Sequence, residues 1–101
     1  MSMKVDKNLF KKFTLILKVV STMIELDKSV IGKTIKSIRI EKGISQEVCS
    51  GLAGIARSHL AMIENSSKQP NFETLWKLSF ALGITPHELI LKIENEHPEL
   101  K

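Results

Sequence analysis

Along most of the chain apolar side chains recur every three or four residues, the spacing that lines one face of an α-helix. No stretch alternates with a period of two for long enough to outweigh it, so the pattern predicts an all-α protein. From Ile31 to Lys42, the residues Ile31, Ile35 and Ile38, with Ile40 beside them, trace a helix that Gly43 closes. Ser45 then stands as an N-cap, because its hydroxyl can accept from the free N–H groups that follow. The helix it opens ends near Ala53 and has apolar residues at Val48, Cys49, Leu52 and Ala53. Gly54 follows, free to take a positive φ, and the chain turns helical again around Ala56 or Arg57, running to about Asn65. SSKQPN, after it, reads as a loop. Asn71 caps a helix from Phe72 to Leu82, with Phe72, Leu75, Leu78, Ser79 and Leu82 on one face and Gly83 as its stop. Thr85-Pro86-His87-Glu88 is a capping box with proline at the first helical position, opening a last helix through Leu89, Ile90, Leu91 and Ile93.

In front of this series lies a separate long helix, Asp6 to Leu26. Leu9, Phe13, Ile16, Val20 and Met23 step by four and three, and Phe10, Phe13, Leu17, Val20 and Ile24 form a second seam beside the first. Only a narrow stripe through Lys11, Lys18 and Glu25 stays polar, so the helix needs cover on most sides. A module of short helices has little surface to spare for that. A second copy of the chain is the simplest cover, with Leu9, Phe13, Ile16, Val20 and Met23 at the dimer contact; folding back onto its own domain is the alternative. The β-branching of TLILKVV keeps a strand in view there. The expected organisation is an N-terminal extension (1–30), a domain of five helices (31–94) and an acidic tail (95–101).

Length and charge sharpen this picture. A chain of 101 residues with 43% hydrophobic content holds one modest core and excludes a second large domain. Its net charge of +4 is unevenly spread. Residues 1–30 carry six lysines against three acids and residues 31–68 six Lys or Arg against three, while residues 69–101 carry three lysines against five acids. A polyanion would therefore meet the front two-thirds. The single cysteine, Cys49, cannot form an internal disulfide, which fits a reducing cytoplasm, and its apolar neighbours mark it as a small buried side chain. FTLILKVVSTMI is shorter than the ~20 residues a bilayer needs and is broken by Lys18, so no membrane association is expected.

Enzymatic chemistry finds no footing. His59, His87, His97 and Cys49 lack metal-ligand spacing, and no glycine-rich phosphate loop is present. No cofactor, metal or small-molecule ligand is inferred. Trp76, the one tryptophan, reads as a core or interface anchor.

The stretch GISQEVCSGLAGIARSHLAMIEN places two short helices around a three-residue turn. Such helices pack at a steep angle, which requires small contact residues and a turn residue tolerant of positive φ. Ser50 and Ala53 are small, Gly54 supplies the turn, and Ile55, Leu60 and Ile63 seal the second helix onto the first. Residues 31–91 resemble the lambda-repressor-like, Cro and xenobiotic-response-element family of helix-turn-helix DNA-binding domains. The likeness rests on Arg39, Gly43, Ser45-Gln46, Ala53-Gly54-Ile55, Ile63-Glu64 and Pro70 in that order, followed by Ala81-Leu82-Gly83-Ile84 and Glu88-Leu89. Departures are Cys49-Ser50 where Leu-Ala is usual, Ala56 where a capping Ser or Thr is common, and Ser66 in place of a frequent Gly.

The resemblance implies a role for each matching position. The second helix of the motif would lie in the major groove with Arg57, Ser58 and Met62 outward and His59 grazing the base edges. Arg57 is the foremost candidate for direct readout, since its fork matches the O6 and N7 acceptors of guanine. Gln46 would hold a backbone phosphate, joined by Lys33, Lys36, Lys42 and Lys68, although each lysine taken singly also reads as a solvated surface charge. Arg39 and Glu64 would form an internal ion pair that serves the fold. Together these imply a sequence-specific transcriptional regulator, a repressor by occlusion with activation equally open, binding double-stranded DNA as a homodimer. The rival expectation is an antitoxin-like module whose front helix binds a different protein.

Overall fold

The structure is a computed structural model that describes residues 7–23 and 26–97. Among the described residues six helices follow one another: α1 (Lys7–Met23), α2 (Ser29–Glu41), α3 (Gln46–Ala53), α4 (Arg57–Glu64), α5 (Phe72–Ala81) and α6 (Pro86–Glu96). No strand forms among the described residues, and TLILKVV lies within α1. The helix penalty of β-branched residues, under about 1 kcal/mol each, is outweighed there by the 3.6-residue pattern. Thr14 meets it by donating its hydroxyl back to the Phe10 carbonyl at 2.9 Å.

Three helices are opened by the side chains the sequence nominates. Ser45 accepts from the Val48 N–H, Asn71 from the Thr74 N–H and Thr85 from the Glu88 N–H, the last reinforced by the Thr85 hydroxyl donating to Glu88 Oε1 at 3.1 Å. Ala56, at the same position before α4, has no such bond. Three helices also end alike. Gly43, Gly54 and Gly83 all take φ near +70°, and the next N–H of Ile44, Ile55 and Ile84 reaches back five residues to a helix carbonyl. Each of these isoleucines is half-buried against the core, which fixes the direction in which the chain leaves the helix.

The core lies where α3 packs on α5 and α4 on α2 and α3, with α6 closing against α2 and α5. Ile35, Cys49, Leu60, Ile63, Leu78, Leu82 and Leu89 are fully buried in it. Burial pushes the Cys49 thiol up from its ordinary range, so it stays protonated and packs as a small apolar group. The contact of α2 with α4 is backbone-close. A Cβ on Gly32 would strike the Ile63 carbonyl oxygen and lie 3.1 Å from that of Glu64.

Several boundaries differ from expectation. Asp27 Oδ1 accepts from both the N–H and the hydroxyl of Ser29, opening α2 two residues before Ile31, so the division drawn after residue 30 falls inside a helix. The same bonds, the hydroxyl first, hold the Asp27 carboxyl below its usual range. At the other end α6 continues to Glu96, and His97 is buried rather than part of a solvated tail. Its Nε2 accepts from the Asp27 N–H at 2.7 Å, which ties the end of α6 to the entry of α2.

The apolar faces also need correction. Phe72, which the spacing places on the core face of α5, is exposed, as are Ile40, Val48, Leu52, Ile90 and Leu91. The face of α5 that packs inward is Thr74, Leu78, Ser79, Ala81 and Leu82, which turns Phe72 to the opposite side with Trp76 and Phe80. Trp76 is 57% exposed, which excludes it as a core anchor. On α1 every described apolar side chain is exposed, from Val20 at 44% to Phe10 at 64%. Ile24 and the side chain of Met23 lie outside the described residues.

Two substitutions should move stability in opposite directions. Gly32→Ala forces α2 away from α4 and should cost at least 1–3 kcal/mol, the usual range for overpacking. Ser66, at φ +66°, is the one described non-glycine residue in the left-handed region. Ser66→Gly removes that strain and should add about 1 kcal/mol, raising the melting temperature by roughly 4–8 °C in a thermal melt.

Candidate nucleic-acid interface

The corner at Gly54 sets α4 across α3. Gly54 takes φ 68° and ψ 30°, and its N–H and that of Ile55 close the end of α3 on the Gly51 and Ser50 carbonyls. With the turn fixed, α4 buries Leu60, Ile63 and Glu64 against α2 and α3. Its other side is free. Arg57 and Ser58 are exposed at the first turn, Met62 is 39% exposed one turn later, and His59 and Ala61 are half-buried at the margins. The result is an open ridge of mixed chemistry: a guanidinium, a hydroxyl, an imidazole and a thioether. The guanidinium can fork onto two acceptors, the hydroxyl and imidazole can each donate or accept singly, and the thioether can touch a methyl group, the repertoire needed at base edges.

The ridge is held from behind by one polar cluster. Arg39 of α2 donates from Nε to Glu64 Oε2 at 2.7 Å and from Nη2 to Glu64 Oε1 at 2.9 Å, while its Nη1 donates to the Ile44 carbonyl at 2.8 Å. Both side chains are nearly buried, 11% and 3% exposed. The Glu64 hydrogen bonds and charge favour the charged guanidinium further, against the cost of burial. The two residues expected to pair in the interior are therefore brought together in a bidentate bridge, the strongest geometry available to them.

Gln46 enters the same cluster. Its Nε2 donates to Glu64 Oε1 at 3.1 Å, which the sequence gives no sign of. An amide nitrogen has two hydrogens, so this bond orients the side chain at the start of α3 and uses one of its two donors. Lys36, Lys42 and Lys68 are exposed, Lys42 just past α2 and Lys68 just past α4, where its N–H donates to the Met62 carbonyl. Lys33 is also exposed, but it lines a groove of about 520 Å³ between α2 and α6 with Asp27, Glu41, Lys92 and Glu96. That setting groups it with carboxylates as much as with the other lysines.

The residues missed at the sequence level are Gly32, which sets the α2–α4 distance, and His97. Gly32 could have been found from its place inside an amphipathic helix, beside the apolar positions Ile31 and Ile35, where a glycine is unfavourable unless a neighbour needs the space. His97 carried no signal.

Two short helices crossing at a glycine corner, the second presenting a polar ridge, define a helix-turn-helix protein. A family model described as helix-turn-helix matches residues 35–89, more than half of the chain, and the chain belongs to this lambda-repressor-like family of non-enzymatic DNA-binding transcriptional regulators. Among curated proteins it is similar to the HTH-type transcriptional regulator SinR of Bacillus subtilis, 39% identical over 61 residues that make up 59% of this chain and 55% of SinR. It thus spans about half the length of that relative. The control protein C.MunI of a Mycoplasma species is 36% identical over 66 residues, 64% of this chain and 89% of that one. Among solved structures, the restriction-modification controller protein C.AhdI from Aeromonas hydrophila superposes with a TM-score of 0.60 at 32% identity, covering 64% of this chain and 98% of its own. No helix among the described residues is long and apolar enough to cross a membrane.

Removing one partner of the buried bridge strands the other. Arg39→Ala or Glu64→Ala should each destabilise the domain by about 3–5 kcal/mol in denaturant unfolding. A loss of DNA binding by Arg39→Ala at unchanged melting temperature would instead place Arg39 on the DNA.

Proposed function

We propose that the protein regulates transcription in the cytoplasm by binding a pseudo-palindromic operator as a homodimer, with α4 in the major groove and α1 supplying the contact between copies. In this reading it acts as a repressor, occluding polymerase from the site it occupies. The observation that carries the reading is the contrast across α4. Leu60, Ile63 and Glu64 are locked into the domain, while Arg57 and Ser58 stand clear of it at the end nearest the Gly54 corner and Met62 is exposed one turn later.

Arg57 then reads a guanine, Ser58 and His59 make single hydrogen bonds at neighbouring base edges, and Met62 meets a thymine methyl. The other donor of Gln46, with Lys36, Lys42 and Lys68, tracks the backbone and sets the register. The exposed apolar surface of α1 supports a second copy as its cover, and it equally fits the antitoxin-like alternative of a different protein partner. Sizing of the purified chain separates the two, a dimer favouring the first and an aggregating monomer the second.

Selection of bound sites from random duplexes should return two half-sites whose centres are about 34 Å apart, one helical turn or a multiple of it. Arg57→Ala should relax the preference at one position per half-site, a loss of about 1–3 kcal/mol in discrimination. Affinity should fall with salt along a logarithmic slope of about −0.9 per phosphate neutralised. Unchanged site preference in Arg57→Ala, or half-sites without fixed spacing, would overturn the reading.

A further inference from the structure

The groove between α2 and α6 contains a hydroxyl for which the fold supplies no partner. Thr34 lines the groove and is only 5% exposed, and its Oγ1 makes no hydrogen bond. A helical threonine commonly returns its hydroxyl to a carbonyl one turn back, as Thr14 does in α1. Thr34 does not. A buried polar atom left unbonded costs free energy and calls for an explanation. The other such atom among the described residues, His97 Nδ1, belongs to the side chain that bonds Asp27 at the same groove.

Charges of both signs surround that hydroxyl. Lys33 precedes it on α2, Lys92 comes from α6, and Glu41 lies at the far end of α2. None of these three makes an ion pair with a described residue. Lys33 and Glu41 are separated by about 12 Å along the helix axis. Ser37 adds a second hydroxyl between them. Val30 and Ile38 also line the groove but are almost wholly buried, so it offers little apolar surface.

We propose that this groove binds a short peptide of about three residues with both ends free. Lys33 and Lys92 hold its carboxylate, Glu41 holds its ammonium, and Thr34 and Ser37 bond its backbone. Three extended residues span about 10 Å, which the long side chains of Lys33 and Glu41 complete. The groove's volume of about 520 Å³ falls within the ~300–1,000 Å³ of ordinary ligand sites. A peptide backbone presents both N–H and C=O groups, so it satisfies a hydroxyl whichever way that hydroxyl turns.

Other classes of ligand match the lining less well. A single amino acid carries its two charges on one carbon, too close together to meet Lys33 and Glu41 at once. A phosphate or nucleotide would face the carboxylates of Asp27, Glu41 and Glu96, and among the described residues no aromatic side chain lines the groove to stack on a base. A polyamine would face Lys33 and Lys92. No lining residue belongs to α3 or α4, so the peptide site and the Arg57 ridge are separate surfaces, and this inference does not rest on the DNA-binding reading.

Trialanine carries the two termini and the backbone with minimal side chains, which makes it the direct probe. Titrated into the full chain to ~10 mM, enough to reveal a complex with a Kd near 1 mM, it should give saturable amide shifts in NMR spectra at residues 27–41 and 92–96. Amidating its carboxylate should weaken binding roughly threefold in the natural chain and change nothing further in Lys33→Met with Lys92→Met. Acetylating its ammonium should do the same, with Glu41→Gln as the insensitive variant. Thr34→Val keeps the shape and removes the unbonded hydroxyl. It should leave the melting temperature unchanged or raised while weakening trialanine by about 2–12-fold, the span of one hydrogen bond. The inference is overturned by the absence of saturable shifts, by a doubly blocked peptide or free alanine binding as tightly at the same residues, or by Thr34→Val binding as well as the natural chain.

Discussion

The bridge between Arg39 and Glu64 is the contact on which the rest of the domain turns. One guanidinium reaches α4 through the carboxylate, the α2–α3 turn through the Ile44 carbonyl and, by way of Glu64, the first residue of α3 through Gln46. Four pieces of chain are thereby referred to a single planar group. A buried charge pair is a poor source of net stability, because desolvation offsets most of its attraction. What it provides is angle and register, since a forked pair tolerates little rotation. The apolar core of Ile35, Leu60 and Ile63 would hold α2 against α4 without it, but would permit sliding.

Gly32 makes that arrangement possible. With no side chain at this position α2 comes close enough to the Ile63 and Glu64 carbonyls for the Arg39 head to meet the carboxylate squarely. The glycine and the ion pair are thus two parts of one constraint, the first setting separation and the second orientation. The motif's own corner is a third part. Gly54 and Ile55 close α3 and aim the chain into α4, whose far end Glu64 then fixes.

Most of the helical layout was legible because its punctuation is local. Ser45, Asn71 and Thr85 announce helix starts and Gly43, Gly54 and Gly83 announce stops, each through bonds within five residues. The ion pair was legible through the family pattern. What was not legible depends on which side of a helix meets its neighbour. An apolar step of four at Phe72, Trp76 and Phe80 looks the same whether it faces a core or solvent, and the small residues Thr74, Ser79 and Ala81 that face inward carry little hydrophobic signal. The bond from Gln46 to Glu64 spans 18 residues and that between Asp27 and His97 spans 70. Contacts of that range leave no trace in spacing.

The two ends of α4 are held unequally. At its far end Glu64 is clasped by two other helices, while at its near end Ala56 offers no side chain to the free N–H groups of the first turn. Those donors, and the partial positive charge of the helix start, stay unspent beside Arg57 and Ser58. The surface that would meet a nucleic acid is therefore anchored like a key at its bow and left adjustable at its bit. Replacements among residues 57 to 62 on the open side could change which sequence is favoured while the lock that holds the helix is untouched.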